Sequence, residues 1–177
     1  MPLGGEVLYC DRLNGKGLGM IRTRRSWREK RENPVKGLPK VVDVPDKWVK
    51  TMGGRRVLVP TPLMVDELVR TVPKSRLITV GQIRQRLAKL FQADSTCPLT
   101  TGIFLRIISE ATEEDRQSGK KHITPYWRVV KDDGGLNPKF PGSVEGQARK
   151  LREEGHEIAS GKSKAVLRVI DFEKALV

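Results

Sequence analysis

Few side chains in this sequence are suited to covalent or metal chemistry. It has two cysteines, Cys10 and Cys97, and two histidines, His122 and His156. Thiol catalysis needs a thiolate, which a nearby base or a helix N-terminus stabilises. Cys97 precedes Pro98 and a predicted helix and is the better candidate nucleophile, but no histidine follows at a useful spacing, so we expect an unreactive, half-buried thiol. The four residues fit no zinc site or disulfide framework, and we expect no metal and no cofactor.

Two adjacent aromatic residues offer a different chemistry, stacking on bases. Tyr126 and Trp127 stand next to each other in a predicted extended segment, followed by Arg128. Such rings can form the floor and wall of a pocket for an extruded base, because stacking of about 1–3 kcal/mol per base offsets much of the cost of flipping. The alternative places one ring in the core and the other outside. We expect Arg128 to anchor the loop by bonding backbone carbonyls rather than to contact a substrate.

Positive charge dominates the composition. The 177 residues include 34 Lys and Arg against 21 Asp and Glu, a formal net charge of +13. This excess is typical of nucleic-acid binders, although basic proteins also bind acidic proteins or membrane surfaces. The densest run is Arg22–Arg31, with Trp27 in its middle. We expect Arg24 and Arg25 to contact phosphates, the alternative being a solvated loop.

Apolar content and its distribution favour an intracellular globular protein. With 37% hydrophobic residues, the chain can build a normal core. No stretch approaches the roughly 20 apolar residues of a membrane span, and no N-terminal apolar run suits a signal peptide. We therefore expect no membrane contact and a cytoplasmic location, nucleoid-associated if DNA is bound.

Regular elements become predictable after the first 45 residues. A short helix is predicted over Asp46–Met52, closed by two glycines, and a strand over Arg55–Val59. Thr61 and Pro62 favour a helix start. That helix carries apolar residues at helical spacing and ends at Pro73. The predicted inward stripe is Val65, Leu68, Val69 and Val72.

A pair of helices follows and defines the predicted fold. Thr79 and Gln82 fit a capping box that opens the first helix. The second is predicted to begin at Thr100, Thr101 and Gly102, whose position at a helix N-terminus favours contact with phosphates or base edges; simple capping is the alternative. Helix, short connection, helix is compatible with a helix-turn-helix. The predicted apolar faces are Ile83, Leu87, Leu90 and Phe91 in the first helix, and Ile103, Phe104, Ile107, Ile108 and Ala111 in the second.

The remaining segment mixes loops, a turn, a helix and a strand. We predict a polar loop over Glu113–Lys121, an extended segment over Ile123–Lys131 and a hairpin turn at Asp132–Gly135. Ser143 is predicted to cap a helix that ends at Gly155. Its inward residues would be Val144, Ala148 and Leu151. A strand over Ala165–Ile170 and a helical turn over Asp171–Leu176 complete the prediction.

Taken in order, these segments resemble the DNA-binding domain of alkylguanine-DNA alkyltransferases and the related alkyltransferase-like proteins. The resemblance covers a little under half of the chain. The family runs from a Thr-Tyr-Gly-Gln-Ile helix start through a recognition helix to Pro-Cys-His-Arg-Val, then a Gly-rich wing and a helix ending in Glu-Gly. The corresponding segments are Thr79-Val-Gly-Gln-Ile83, Thr100–Ala111, Pro125-Tyr-Trp-Arg-Val-Val130, Asp132–Leu136 and Glu145–Gly155.

The departures from the family pattern bear on activity. Tyr126 stands at the reactive cysteine and Trp127 at the neighbouring histidine. A phenol with an ordinary pKa near ~10 is a poor nucleophile at neutral pH, so alkyl transfer at this position is not expected. The alkyltransferase-like branch also replaces the cysteine, and the resemblance implies binding of damaged bases without repair. The arginine that the family inserts into the duplex would fall near Leu99, and Glu154 matches a buried glutamate but lacks the histidine partner.

We therefore predict an α+β protein with a winged-helix-like helix-turn-helix domain over residues 61–177 and a basic, largely irregular N-terminal region over residues 1–60. The predicted function is non-catalytic binding of double-stranded DNA, with recognition of alkylated or flipped bases in DNA repair as its finer form. The alternatives are an alkyltransferase using Cys97 and a regulatory or protein-interaction module. A monomer with a repair-protein partner is expected. The predicted base pocket is Tyr126, Trp127, Arg128 and Glu154, and the predicted DNA contacts are Thr79, Gln82, Thr100, Thr101, Gly102, Arg106, Lys131, Arg24 and Arg25.

Overall fold

Helices and short strands alternate along the chain. The computed structural model describes residues 25–33, 35–160 and 167–177. The helices are α1 (Trp27–Glu32), α2 (Asp46–Met52), α3 (Pro62–Arg70), α4 (Val80–Leu90), α5 (Pro98–Gln117), α6 (Ser143–Glu153) and α7 (Phe172–Ala175). The strands are β1 (Lys40–Asp43), β2 (Arg56–Val59), β3 (Ile78–Thr79), β4 (Ser95–Thr96), β5 (Val129–Val130), β6 (Ile158–Ser160) and β7 (Leu167–Val169). The predicted α+β class is confirmed.

Within the described residues, the strands form three small sheets. Strand β1 pairs antiparallel with β2, and β2 pairs parallel with β4. Strands β3 and β5 are parallel, and β6 and β7 are antiparallel. The β1–β2 pair, like α1, precedes the predicted boundary at residue 60, yet it packs against elements beyond it. The described part of residues 25–60 holds two helices and two strands, of which α2 and β2 were predicted and α1 and β1 were not.

Two clusters of buried side chains form the interior. The larger joins α3, α4 and the middle of α5 with Tyr126 and Phe140. The smaller joins Leu77 and Val130 with the inward face of α6 and the last strand. Trp127 packs against both clusters. Consequently the segment around Tyr126 lies where the two halves of the interior meet.

Most predicted elements are confirmed. Helix α2 has the predicted bounds, and the Thr61–Pro62 start of α3 and the capping box of α4 are present. The inward face of α6 is also as predicted. Ser143, however, does not cap this helix: Gly142 is the N-cap at φ 74°, and Ser143 is the first helical residue. A 3-10 turn at Tyr126–Arg128 interrupts the predicted extended segment.

The predicted bounds of α5 are wrong at both ends. The helix begins at Pro98, where proline is tolerated because the first helical N–H needs no partner. It continues through Gln117, so half of the predicted Glu113–Lys121 loop is helical. The charged residues of this last part are held by other elements, since Asp115 is buried and Glu114 binds α1. The polar sequence at the end of α5 therefore forms a helix whose charged side chains bond with other elements.

Several predicted core residues are exposed instead. Leu90 is 73% exposed and Phe91 36%, because α4 ends there and the chain turns away from the core. On α5, Ile103 is 48% exposed, and Leu105 is buried in the core. The inward face of α5 is therefore rotated relative to the prediction, and it leaves an apolar face on the outside.

Candidate nucleic-acid interface

The N-terminal half of α5 presents one exposed face, which we call the α5 face. Its members, Leu99, Gly102, Ile103 and Arg106, recur at the three- and four-residue spacing that aligns side chains on a helix. Leu99 is 67% exposed, and a Cβ added at Gly102 would meet no atom within 4 Å. Two bulky apolar side chains, a gap and a terminal arginine thus lie side by side in solvent.

The threonines at the start of α5 serve the helix itself. The Thr101 hydroxyl donates to the Cys97 carbonyl oxygen at 2.8 Å, and that of Thr100 donates to the same oxygen at 3.3 Å. Thr101 is fully buried, so it is not available to DNA in this conformation. The capping alternative is also wrong, because the N-cap of α5 is Cys97 and no side chain caps the helix, whereas Gly102 is exposed as a contact would require.

Thr79 and Gln82 are also occupied locally. The Gln82 amide N–H donates to the Thr79 hydroxyl at 3.1 Å, and the Gln82 side-chain oxygen accepts from the Thr79 N–H at 2.9 Å. The Gln82 side-chain amide further donates to the Val177 carbonyl. These bonds fix the start of α4 and account for both side chains without DNA.

The remaining predicted DNA contacts lie on the surface where they are described. Arg25, Arg106 and Lys131 are exposed, and none forms an ion pair with another described residue. Arg24 and Cys10 lie outside the described residues. Lys131 opens the predicted turn, whose backbone closes by a bond from the Lys131 N–H to the Gly135 carbonyl at 2.9 Å.

Tyr126 is a core residue. Only 1% of it is exposed, and its ring meets Trp127 and Phe140 edge-on, with centroids 5.5 and 5.3 Å away. Its hydroxyl donates to Glu113 Oε1 at 2.8 Å. Burial, together with the Glu113 carboxylate, raises the pKa of Tyr126. The ring therefore cannot serve as a stacking surface for a base, which corrects the predicted floor of the pocket.

Glu113 is the hub of the charges beside Tyr126. Its carboxylate also accepts from Lys150 Nζ at 2.9 Å and from Arg116 Nε at 2.7 Å. Burial by itself would raise the pKa of Glu113, but the bonds from Lys150, Arg116 and Tyr126 outweigh it and lower the pKa to about 2. Glu113 is thus an anion that fixes the position of three donors.

A cleft of about 470 Å³ opens beside this hub. We call it the Tyr126 cleft. Charged side chains from α5 and α6 supply most of its walls, and the Pro141–Gly142 turn supplies the rest. Its lining residues are Glu113, Arg116, Tyr126, Pro141, Gly142, Gly146, Arg149, Lys150 and Glu153. Cys97 is not among them. The Cys97 thiol is buried at the N-terminus of α5, so it does not face a substrate in this conformation.

Trp127, Arg128 and Glu154 form a single network. The Trp127 indole N–H donates to Glu154 at 2.8 Å, and Arg128 donates to both oxygens of the same carboxylate. The expectation that Arg128 anchors the loop is confirmed, because its Nη1 donates to the Val72 carbonyl at 2.6 Å. Burial opposes ionisation of Glu154, but the bonds from Arg128 and Trp127 prevail and lower its pKa. Glu154, for which no histidine partner was expected, is therefore held by the Trp127 indole and the Arg128 guanidinium.

The contact between α1 and α5 was not predicted. Arg31 is buried and forms an ion pair with Asp115 at 2.9 Å, and Arg28 bonds the same carboxylate at 2.7 Å. The Glu114 carboxylate accepts from the backbone N–H groups of Trp27 and Arg28. The sequence did contain one signal, since Ser26 and Glu29 have capping-box spacing, and that box is present.

Comparisons with known proteins add one distant similarity. No family model matches the chain, and no curated protein matches it. A solved structure to which it is similar is S. pombe Atl1 in complex with damaged DNA containing O6-carboxymethylguanine. The two are 17% identical, with a TM-score of 0.44, over 66% of this chain and 93% of that one. A similarity at this level identifies neither a family nor a function.

No helix among the described residues is both long enough and apolar enough to cross a bilayer. Nor do three or more of their His, Cys, Asp or Glu side chains come together in a group able to hold a metal ion.

Proposed function

We propose that this protein binds double-stranded DNA through the α5 face. The observation that carries the proposal is the exposure of Leu99, Ile103 and Arg106 on one side of a helix whose opposite side is core. Two bulky apolar side chains that are exposed next to each other on one helix favour a partner that covers them. The net charge of +13 favours a polyanion as that partner.

The chemistry of the face suits a groove edged by phosphates. Arg106 can neutralise a phosphate, while Leu99 and Ile103 can contact sugars or wedge against a base step. Gly102 leaves space between them for close approach of the DNA backbone. Leu99 also lies near the position at which the family that the sequence resembles inserts its arginine.

A substitution on the face tests this function. Ile103→Asp should weaken binding of a short plain duplex by about tenfold or more, because it places an anion and a desolvation cost against phosphates. Leu63→Asp is the matched control, since Leu63 is 42% exposed and lies at the start of α3, where an acidic residue is tolerated. Equal affinity for both variants would remove the α5 face from the interface.

Preference for an alkylated base is the finer proposal. What favours it is that the cleft is lined by Tyr126, which the sequence resemblance aligns with the reactive cysteine of the alkyltransferases. Two of its cations, Arg116 and Lys150, already pair with Glu113, so we assign to Arg149 the contact with a nucleotide phosphate or a carboxylated base. Arg149→Gln should therefore reduce the ratio of lesion-duplex to plain-duplex affinity. An unchanged ratio, or a wild-type ratio near one, would overturn it.

A further inference from the structure

Helix α1 and the α5 face border a cationic surface that is separate from the Tyr126 cleft. A cleft of about 560 Å³ lies between them, lined by Arg25, Ser26, Trp27, Lys30, Arg106 and Glu114. We call it the α1 cleft. Lys30 Nζ lies 3.9 Å from the centroid of the Trp27 ring, and Arg106 Cζ lies 5.9 Å from it. One aromatic ring thus gathers cations from two helices.

The charge of the α1 cleft is largely uncompensated. Its one carboxylate, Glu114, accepts two backbone N–H bonds from the start of α1, at 3.0 and 2.8 Å. None of Arg25, Lys30 and Arg106 forms an ion pair within the described parts of the chain. Because a cation–π contact at an exposed site is worth only about 0.5–1 kcal/mol, an incoming anion can recruit Lys30 from the ring.

The cleft is preformed because α1 is held firmly on α5. Asp115 is buried and receives cations from Arg28, Arg31 and Lys120 at 2.7–2.9 Å. Arg28 also donates to the Ser118 hydroxyl at 2.8 Å. These bonds fix Trp27 and Lys30 relative to Arg106, so an anion need not pay for ordering the two helices.

We infer that the α1 cleft binds a backbone phosphate of the same duplex that lies against the α5 face, so that α1 extends the DNA footprint. This inference rests on the proposed function. Arg106 belongs to both surfaces and makes them continuous. A phosphodiester fits because the cleft offers converging guanidinium and ammonium donors, and Trp27 offers an apolar surface for the adjoining sugar.

The test is a salt titration of duplex affinity with charge-matched variants. Arg25→Gln with Lys30→Gln removes two cations of the cleft, and Lys36→Gln with Lys50→Gln removes two exposed cations elsewhere. Each lost phosphate contact should reduce the slope of log affinity against log salt by about 0.9, so the first pair, which would contact one phosphate, should flatten it by about one unit. The control pair should leave the slope nearly unchanged. Equal slopes for the two pairs would overturn the inference.

Two further arms separate the possible outcomes. If Ile103→Asp abolishes binding while the two charge pairs behave alike, the proposed function stands and the α1 cleft is excluded. If neither the face nor the cleft variants differ from their controls, both proposals fail. Inorganic phosphate alone, followed by tryptophan fluorescence, should give no saturable change at millimolar concentration. A saturable change that Lys30→Gln removes would assign the cleft to a free anion and overturn the duplex assignment.

Discussion

At the scale of single residues, the surroundings of Tyr126 decide which chemistry its phenol can perform. Burial and the bond to Glu113 keep the phenol neutral, because both raise its pKa. A neutral phenol held by a carboxylate is a donor with a fixed direction, not a nucleophile. The Tyr126 hydroxyl links the core to the Glu113 carboxylate beside the Tyr126 cleft. The contribution of this bond to the free energy of unfolding can be measured.

Tyr126→Phe should therefore lower the free energy of unfolding with little change in packing. The ring remains, and only the hydrogen bond to a charged acceptor is lost, which costs about 1.5–3 kcal/mol. Urea unfolding at neutral pH measures the difference. A variant as stable as the wild type would mean that the hydroxyl bond to Glu113 contributes nothing.

Glu113 should make stability sensitive to acid. Its pKa in the folded protein is about 2, below the ordinary 4.5, so the protein gains stability from this group above pH 4.5 and loses it as the pH falls through about 2. Glu113→Gln should thus be less stable than the wild type at neutral pH, with a difference that narrows on acidification. Unfolding free energies measured across that range give the answer, and a pH-independent difference would contradict the prediction.

At the scale of elements, the α1–α5 contact replaces apolar packing with ions. Asp115 and Arg31 are both buried. Removing one partner of a buried ion pair leaves an uncompensated buried charge, and this costs far more stability than the intact pair contributes. Burial opposes ionisation of Asp115, yet the bonds from Lys120 and Arg31 still lower its pKa. The attachment of α1 therefore depends on two neighbouring carboxylates, Asp115 for the side chains of Arg28 and Arg31 and Glu114 for the first backbone N–H groups of α1.

Asp115→Asn should destabilise the protein by about 3 kcal/mol, because Arg31 then stays buried beside a neutral amide. Asp171→Asn is the control: Asp171 pairs with Lys174 in an exposed site, where such a pair is worth about 0–1 kcal/mol. Thermal unfolding compares the two variants directly. Similar losses for both would show that the buried cluster is not what holds α1.

The elements differ in how far the sequence could predict them. Local signals sufficed for α2, α3 and the capping box of α4, since glycine, proline and Thr–Gln spacing act within a few residues. They failed for the end of α5, because its buried Asp115 is stabilised by cations more than 80 residues earlier in the chain. The rotated face of α5 failed for a similar reason: Leu105 and Ile103 are equally apolar, and only tertiary packing decides which is buried.

The candidate site was predictable to a smaller degree. Arg128 and Glu154 were found through the resemblance, and their bond is present. The burial of Tyr126 was one of two alternatives that adjacent aromatics leave open. The α1 cleft could not be predicted, because it needs Trp27 and Arg106 to meet across about 80 residues of sequence. A charge run shows where cations are and not which helix will hold them.

At the scale of the whole molecule, the net charge of +13 destabilises the folded protein, and an anionic partner can offset this destabilisation. Like charges repel one another in the folded state, and a bound polyanion relieves that repulsion while releasing counterions. The exposed apolar side chains of the α5 face add a contribution to the binding free energy that charge attraction alone does not provide. DNA binding should therefore stabilise the folded protein, and the amount of stabilisation should depend on the shape of the polyanion.

A short plain duplex should accordingly raise the midpoint of thermal unfolding at low salt, and the increase should vanish at high salt. A ligand at 100 times its dissociation constant adds about 2.7 kcal/mol when it binds only the folded protein. Polyglutamate at equal charge concentration is the control, because it supplies anions without a groove. If the α5 face and the α1 cleft act on a duplex, the duplex should stabilise the protein more than polyglutamate does, and Ile103→Asp should remove the excess. Equal stabilisation by the two polymers would favour an acidic protein as the partner over DNA.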